Sequence, residues 1–145
     1  MSMKVVILCG GFGTRLREQT EIKPKPMVEI GGRPILWHIM NTYAYYGFNE
    51  FILCLGYKGE AIKEYFYNYE ILSNNFTIEL GSKNIKMYSN HSETGWKVTL
   101  VNTGLDAMTG VRVKRIESFI NSDTFMLTYG DGVIKESVRR ILKIK

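Results

Sequence analysis

No apolar run in this chain approaches the twenty or so residues that a membrane-spanning helix needs, which excludes such a helix. The start of the chain also lacks a signal peptide, because its short apolar segment leads straight into glycines. A soluble, cytoplasmic protein without a membrane partner is expected. Cysteine is nearly absent: Cys9 and Cys54 each end an apolar run, and no CxxC occurs. Both are expected to be reduced core residues rather than a disulfide or a metal pair. Internal repeats, low-complexity tracts and a clear linker are missing as well. So are two familiar phosphate loops. No Gly-Lys-Ser or Gly-Lys-Thr is present for a Walker loop, and a dinucleotide fingerprint begun at Gly11 fails at Leu16.

What the sequence does hold is globular material. Its 145 residues, 45% of them hydrophobic, suffice for one domain with a buried core. The net charge of +5 favours anionic partners. Nucleic acid is not expected. The positive residues are scattered apart from Lys135, Arg139, Arg140, Lys143 and Lys145, with no zinc-finger, homeodomain or ribonucleoprotein motif beside them. A phosphorylated small molecule suits these charges better.

The run Val5-Val6-Ile7-Leu8 reads as a buried parallel strand, and Gly10, Gly11 and Gly13 follow it. A glycine-rich turn lets several backbone N–H groups converge on an anion. Arg15 and Lys25 add a planar fork and a mobile point charge nearby in sequence. Glycines alone would be satisfied by a turn before a solvated basic loop. The phosphate reading rests on the longer ordered pattern: Gly-Gly-x-Gly-Thr-Arg-Leu, then Thr20, then Lys-Pro-Lys-Pro-Met.

Helical spacing predicts a helix over 34–46, with Pro34 at its first position, Gly47 as its stop, and Ile35, Leu36, Ile39, Met40 and Tyr43 facing a sheet. His38, beside this stripe, reads as a packing or surface residue. Residues 51–55 form a second buried strand ended by Gly56. A helix from about Glu60 should carry Ile62, Tyr65, Phe66 and Tyr69 on one face, as core. Alternation at Phe76, Ile78 and Leu80, and again over 85–88, predicts half-exposed antiparallel strands set apart from the main sheet. Residues 98–102 read as a further strand, and Val113, Ile116 and Ile120 mark a short helix. A third strong strand, 125–127, runs into Gly130-Asp131-Gly132, and helical spacing resumes over 135–143.

Strands and helices in alternation predict an α/β chain: a Rossmann-like open, mostly parallel sheet with flanking helices. Ligands of such sheets bind beyond the carboxyl ends of the strands. Three strands ending in glycine should bring the phosphate loop and Asp131 to one edge. Gly-Asp-Gly is also plain turn chemistry. Its placement nevertheless suits Mg2+, which takes one or two carboxylates together with phosphate oxygens.

The pattern from Gly10 to Met27 continues as Val28-Glu29-Ile30-Gly31-Gly32-Arg33-Pro34-Ile35-Leu36-Trp37-His38-Ile39-Met40, with Thr128-Tyr129-Gly130-Asp131-Gly132-Val133 further on. Together these resemble the sugar-1-phosphate nucleotidyltransferases, most of all their glucose-1-phosphate cytidylyltransferase branch, over essentially the whole chain. The resemblance implies the nucleotide-diphospho-sugar transferase type of fold in truncated form. Residues 1–145 would be its N-terminal nucleotide-binding portion, without the C-terminal sugar-binding part. It implies nucleotidyl transfer from CTP to glucose 1-phosphate, giving CDP-glucose and pyrophosphate for surface polysaccharide, with Mg2+ as cofactor and a homo-oligomer in the full-length family.

The same resemblance places substrate at Leu8, Cys9, Gly10, Gly11, Phe12, Gly13 and Thr14, with Thr109, Gly110, Arg112 and Gly130 approaching the nucleotide. It gives Arg15 the triphosphate and the leaving pyrophosphate, Lys25 the α-phosphate, and Asp131 the metal. Longer family chains add a second metal-binding aspartate, most sugar contacts and part of the oligomer interface. Asn102 stands where the family usually has aspartate, and Val111 where glycine is common. Two readings stay open. One is a cytidylyltransferase, or its nucleotide-binding half. The other is a truncated, catalytically inactive chain that binds nucleotide or pairs with another subunit. Truncation would leave an unpaired sheet edge and apolar faces, so marginal stability or association is expected.

Overall fold

The computed structural model describes residues 3–10, 23–88, 95–104, 109–120, 124–130 and 140–143. Strand β1 (Val5–Cys9) is followed by a 3-10 turn (Lys25–Met27), the short strands β2 (Glu29–Ile30) and β3 (Arg33–Pro34), and helix α1 (Ile35–Tyr45). Next come β4 (Glu50–Leu55), helices α2 (Gly59–Tyr67) and α3 (Tyr69–Ser73), and strands β5 (Asn75–Glu79), β6 (Asn84–Tyr88) and β7 (Lys97–Asn102). Helix α4 (Thr109–Arg115), a 3-10 turn (Glu117–Phe119), β8 (Thr124–Tyr129) and β9 (Arg140–Lys143) complete the described elements.

The main sheet has the order β7-β4-β1-β8-β9. Its first four strands are parallel and β9 is antiparallel to β8. Val5 lies opposite Phe51 on one side and Met126 on the other. Both faces of this sheet are covered, which is why β1 and β4 are unbroken apolar runs rather than alternating ones. Val5, Ile7, Phe51 and Leu53 pack with Leu36 and Met40 of α1 and Ile62 of α2. Val6, Leu8, Ile52, Cys54 and Phe125 pack on the opposite face with Ile116 and Ile120. The expected α/β architecture, a mostly parallel sheet with flanking helices, is present. Cys9 and Cys54 are buried free thiols, as expected.

Several local expectations need correction. Pro34 caps α1 rather than opening it, because its extended backbone (ψ 149) also pairs β3 with Glu29. The short β2–β3 ribbon was not legible from hydrophobic spacing. Its turn uses Gly31 and Gly32, both with positive φ, as a two-residue hairpin with that twist requires. The helix expected from Glu60 is two helices, interrupted at Asn68, so Tyr69 opens α3 instead of closing α2. It still stacks on Phe66, with ring centroids 6.2 Å apart. Residues 140–143, expected as the end of a helix, form strand β9, with Ile141 opposite Met126. Short apolar runs do not distinguish helix from strand by period alone, and here β8 offers an edge to pair with. Residues 135–139 lie outside the described residues. No described helix is long and apolar enough to cross a membrane.

Candidate functional site

Strand order locates the site before any side chain does. The chain builds outward from β1 to β4 and β7, then returns to place β8 on the other flank of β1. The direction of winding therefore reverses between β1 and β8, and a crevice at the carboxyl ends of two such strands is where open α/β sheets take ligands. Gly10 follows β1 at this point and Gly130 follows β8. The Gly130 N–H donates to the Leu8 carbonyl at 2.9 Å. A Cβ at Gly130 would lie 3.0 Å from Cys9 Sγ and 3.2 Å from Ile7 Cγ2, so the end of β8 lies against β1 with no room for a side chain.

Arg112 occupies the neighbouring part of the same edge. It projects from α4 and is only 6% exposed. Nη1 donates to Thr103 Oγ1 at 2.9 Å and to the Leu55 carbonyl at 3.5 Å, while Nη2 donates to the Gly10 carbonyl at 3.3 Å. One guanidinium thus ties together the ends of β1, β4 and β7. Thr103 completes the cluster by donating its hydroxyl to the Leu55 carbonyl at 3.0 Å, and Arg115 donates to the Thr103 carbonyl. A planar fork with five N–H donors can serve several carbonyls at once, whereas lysine's compact ammonium cannot match that geometry.

The glycines beneath this guanidinium have a steric reason to be glycine. A Cβ at Gly10 would collide with the Arg112 guanidinium. One at Gly56 would lie 2.8 Å from Arg112 Nη1, 2.9 Å from the Gly104 carbonyl and 3.0 Å from Gly10 Cα. Two of those three neighbours are backbone and cannot swing aside. Gly56→Ala is accordingly expected to destabilise the fold by about 1–3 kcal/mol, the usual range for overpacking. A urea midpoint unchanged from wild type would contradict this packing.

Burial pushes the Cys54 thiol up from 9.0 to about 12, with the Arg112 charge acting in the opposite sense. The raised value means that folded Cys54 holds its proton where the unfolded thiol has lost it. Its stabilising contribution is complete below pH 9 and is lost as pH rises towards 12. The slope is about 1.4 kcal/mol per pH unit. Urea titrations from pH 8 to 11 should show this fall, and Cys54→Ala should remove that part of the slope. Equal slopes in the two proteins would refute the assignment.

Lys25 reaches the same edge by another route. The connection from β1 to the parallel β4 must return along the sheet, and α1 makes that return. The amino end of α1 therefore sits at the carboxyl edge. The Ile35 N–H, first in that helix, donates to the Val28 carbonyl at 2.9 Å, which attaches the 25–27 turn there. Among the expected site residues, then, Leu8, Cys9, Gly10, Lys25, Arg112 and Gly130 gather at one edge. Gly110 lies in the first turn of α4, exposed, with open space where a Cβ would project. Thr109 opens the same helix. Gly11, Phe12, Gly13, Thr14, Arg15 and Asp131 lie outside the described residues.

Leu8 and Cys9 have both side chains in the core, so only their backbone could meet a ligand. Sequence reasoning placed Gly56 at the edge as the glycine that ends a strand, but missed Thr103, which is fully buried, and the contact of Gly56 with Arg112. The signal available for both was a strand ending in glycine or in Thr-Gly. Among the described residues, no group of three or more His, Cys, Asp or Glu side chains could hold a metal. The described edge carries two cationic side chains, Lys25 and Arg112, and the strand-end backbone, groups that suit phosphate.

Residues 4–142 match the nucleotidyl transferase family. The chain is 53% identical over 131 residues to a probable glucose-1-phosphate cytidylyltransferase of Bacillus subtilis, covering 90% of this chain and 51% of that protein. It is 52% identical over 132 residues to glucose-1-phosphate cytidylyltransferase of Salmonella typhimurium, with the same coverage. The crystal structure of HddC from Yersinia pseudotuberculosis complexed with GMP-PN superposes with a TM-score of 0.63 at 27% identity, over 89% of this chain and 48% of that one. The chain spans about half the length of the curated relatives it matches. With glycine-ended strands at the reversal of strand order and a family match over nearly its whole length, this chain belongs to the nucleotidyl transferase family.

Proposed function

We propose that this chain carries the nucleotide-binding half of a cytidylyltransferase that joins CTP and glucose 1-phosphate into CDP-glucose and pyrophosphate. The observation that carries this reading is the reversal of strand order between β1 and β8, where both strands end in glycine and Lys25 and Arg112 stand at the same sheet edge. The choice of base and sugar rests on the likeness to the two cytidylyltransferases.

In the proposed reaction a phosphate oxygen of glucose 1-phosphate bonds to the α-phosphorus of CTP. The bond from that phosphorus to the β-bridging oxygen breaks, and pyrophosphate leaves with the electron pair. The nucleophile is already an anion, so no strong general base is needed; positioning and charge neutralisation supply the acceleration. We assign the α-phosphate to Lys25, the leaving pyrophosphate to Arg15, and the nucleotide to backbone of 8–14 with Thr109, Gly110, Arg112 and Gly130. Mg2+ would neutralise phosphate oxygens, and Asp131, the residue after Gly130, is the carboxylate assigned to it.

A second reading has its own observation. Because the chain spans about half of its relatives, it could bind nucleotide, or pair with another subunit, without turnover. Pyrophosphate release with CTP, Mg2+ and glucose 1-phosphate separates the two. Release that depends on glucose 1-phosphate supports transfer. Saturable CTP binding without release supports the second reading, and absence of both overturns the nucleotide assignment.

A further inference from the structure

The turn that presents Lys25 takes its shape from its own hydrogen bonds, but its placement depends on the segment that follows it. Residues 28–34 join the turn to α1 through the β2–β3 hairpin, with Gly31 and Gly32 exposed at the tip. A two-stranded ribbon so short does not hold itself in water. Two local contacts fasten it to α1. The Ile35 N–H donates to the Val28 carbonyl at 2.9 Å, and His38 Nε2 lies 2.8 Å from the Ile30 carbonyl.

A third contact comes from a distant element. Tyr69, the first residue of α3, accepts hydrogen bonds on its hydroxyl from Arg33 Nη1 and Trp37 Nε1, each at 3.0 Å. The Arg33 guanidinium also lies over the Trp37 ring, 4.3 Å from its centroid, in a cation–π contact. One hydroxyl thus joins the last strand of the hairpin to the first turn of α1. Its ring is held by Tyr65, edge-on at 5.4 Å, and by Phe66, stacked at 6.2 Å. Trp96 backs the group from the flank of β7, its ring 6.2 Å from that of Trp37. This packing asks only for a ring, and phenylalanine would supply one. The hydroxyl serves the two donors, as the polar end of a packed tyrosine usually serves a partner.

We propose that Tyr69 is a positioning residue for nucleotidyl transfer: by holding Arg33 and Trp37, its hydroxyl fixes the 28–34 hairpin and with it the placement of Lys25. The inference rests on the assignment of the α-phosphate to Lys25. A group aimed at transition-state charge must be placed closely, and a misplacement of about 1 Å can cost about a hundredfold in rate. The bonds to Tyr69 are half-buried, so their loss weighs less on the fold than on the placement of that charge. An interaction made in the transition state shows in kcat more than in KM.

The test is Tyr69→Phe in the 145-residue chain, alone and combined with Lys25→Ala. Alone, it should lower kcat for pyrophosphate release about tenfold or more, with KM for CTP within about twofold of wild type. Added to Lys25→Ala, it should cost less than about twofold, because residues that act through one another are not additive. If the chain binds CTP without release, the same cycle is read on CTP affinity, and the same non-additivity is expected. Hydrogen exchange followed by NMR reads the tether without any ligand. The Val28 and Ile35 amides should exchange at least about tenfold faster in Tyr69→Phe, while those of Val6 and Leu53 in the sheet keep the wild-type rate. Unchanged exchange at Val28 and Ile35 overturns the proposal. So does wild-type turnover, or in the binding case wild-type affinity, in Tyr69→Phe. Equal losses with and without Lys25 overturn it as well, since the hydroxyl would then act on the fold alone. Failure of the underlying assignment looks different: Lys25→Ala keeps wild-type turnover or affinity, or the wild-type chain neither binds CTP nor releases pyrophosphate, and either result takes the proposal with it.

Discussion

Arg112→Ala is expected to destabilise the fold by about 1–3 kcal/mol, a sizeable part of the roughly 5–15 kcal/mol that holds a domain together. The substitution removes the donors to the Gly10 carbonyl and the Thr103 hydroxyl in a buried setting, while the Leu55 carbonyl keeps its bonds from the Thr103 N–H and hydroxyl. It also empties the space that a Cβ at Gly10 would invade. Leaving buried acceptors without donors costs more than the net value of the bonds themselves, which is why truncation here should exceed an ordinary surface change. Arg112→Lys restores a charge without the fork and should recover only part of the loss. Urea unfolding monitored by Trp37 and Trp96 fluorescence measures both variants. An Arg112→Ala protein within 1 kcal/mol of wild type, an order-of-magnitude threshold for one such hydrogen bond, would show that the guanidinium does not fasten the three strand ends.

The same cluster explains how far the sequence could be read. β1, β4 and β8 were legible because strands buried on both faces are written as continuous apolar runs, and each ends at glycine. The ribbon of β5 and β6 was legible because one face is polar and the side chains alternate. Strand order was not written in any single segment. That β8 returns beside β1 instead of extending past β7 is a long-range choice, yet it decides which two strand ends form the crevice. The identity of β9 was hidden for a similar reason: Ile141 and Leu142 suit either a helix or a strand, and the edge of β8 settles the matter. Arg112 could be placed near the nucleotide only by resemblance. Its grip on Gly10, Leu55 and Thr103 depends on residues up to 102 positions away, and no local pattern announces it. Thr103 is harder to see still, since its burial and its bond to the Leu55 carbonyl come from a strand end 48 residues away.

Lys25→Ala should leave the fold intact and lower turnover by at least about a hundredfold, the typical loss when one group aimed at transition-state charge is removed. The two halves of this expectation come from different parts of the same turn. Its backbone has hydrogen bonds of its own. The Met27 N–H donates to Pro24 at 2.9 Å, the Val28 N–H to the Lys25 carbonyl at 3.2 Å, and Pro26, Met27 and Val28 are buried. Proline on either side further restricts the chain. Alanine at 25 removes the ammonium and leaves these backbone bonds in place, so the fold should persist while the rate is lost. Lys25→Arg tests the kind of charge required. A planar guanidinium keeps the sign but not the compact point charge, and intermediate turnover is expected. If the chain binds CTP without turning it over, the substitution is read instead as affinity, which should fall at least about tenfold for one charge-assisted contact. Wild-type turnover, or in that second case wild-type CTP affinity, in folded Lys25→Ala would take the α-phosphate away from this residue. Because the turn is pinned to the amino end of α1 at the same sheet edge as Gly10, such a result could not be ascribed to a displaced backbone.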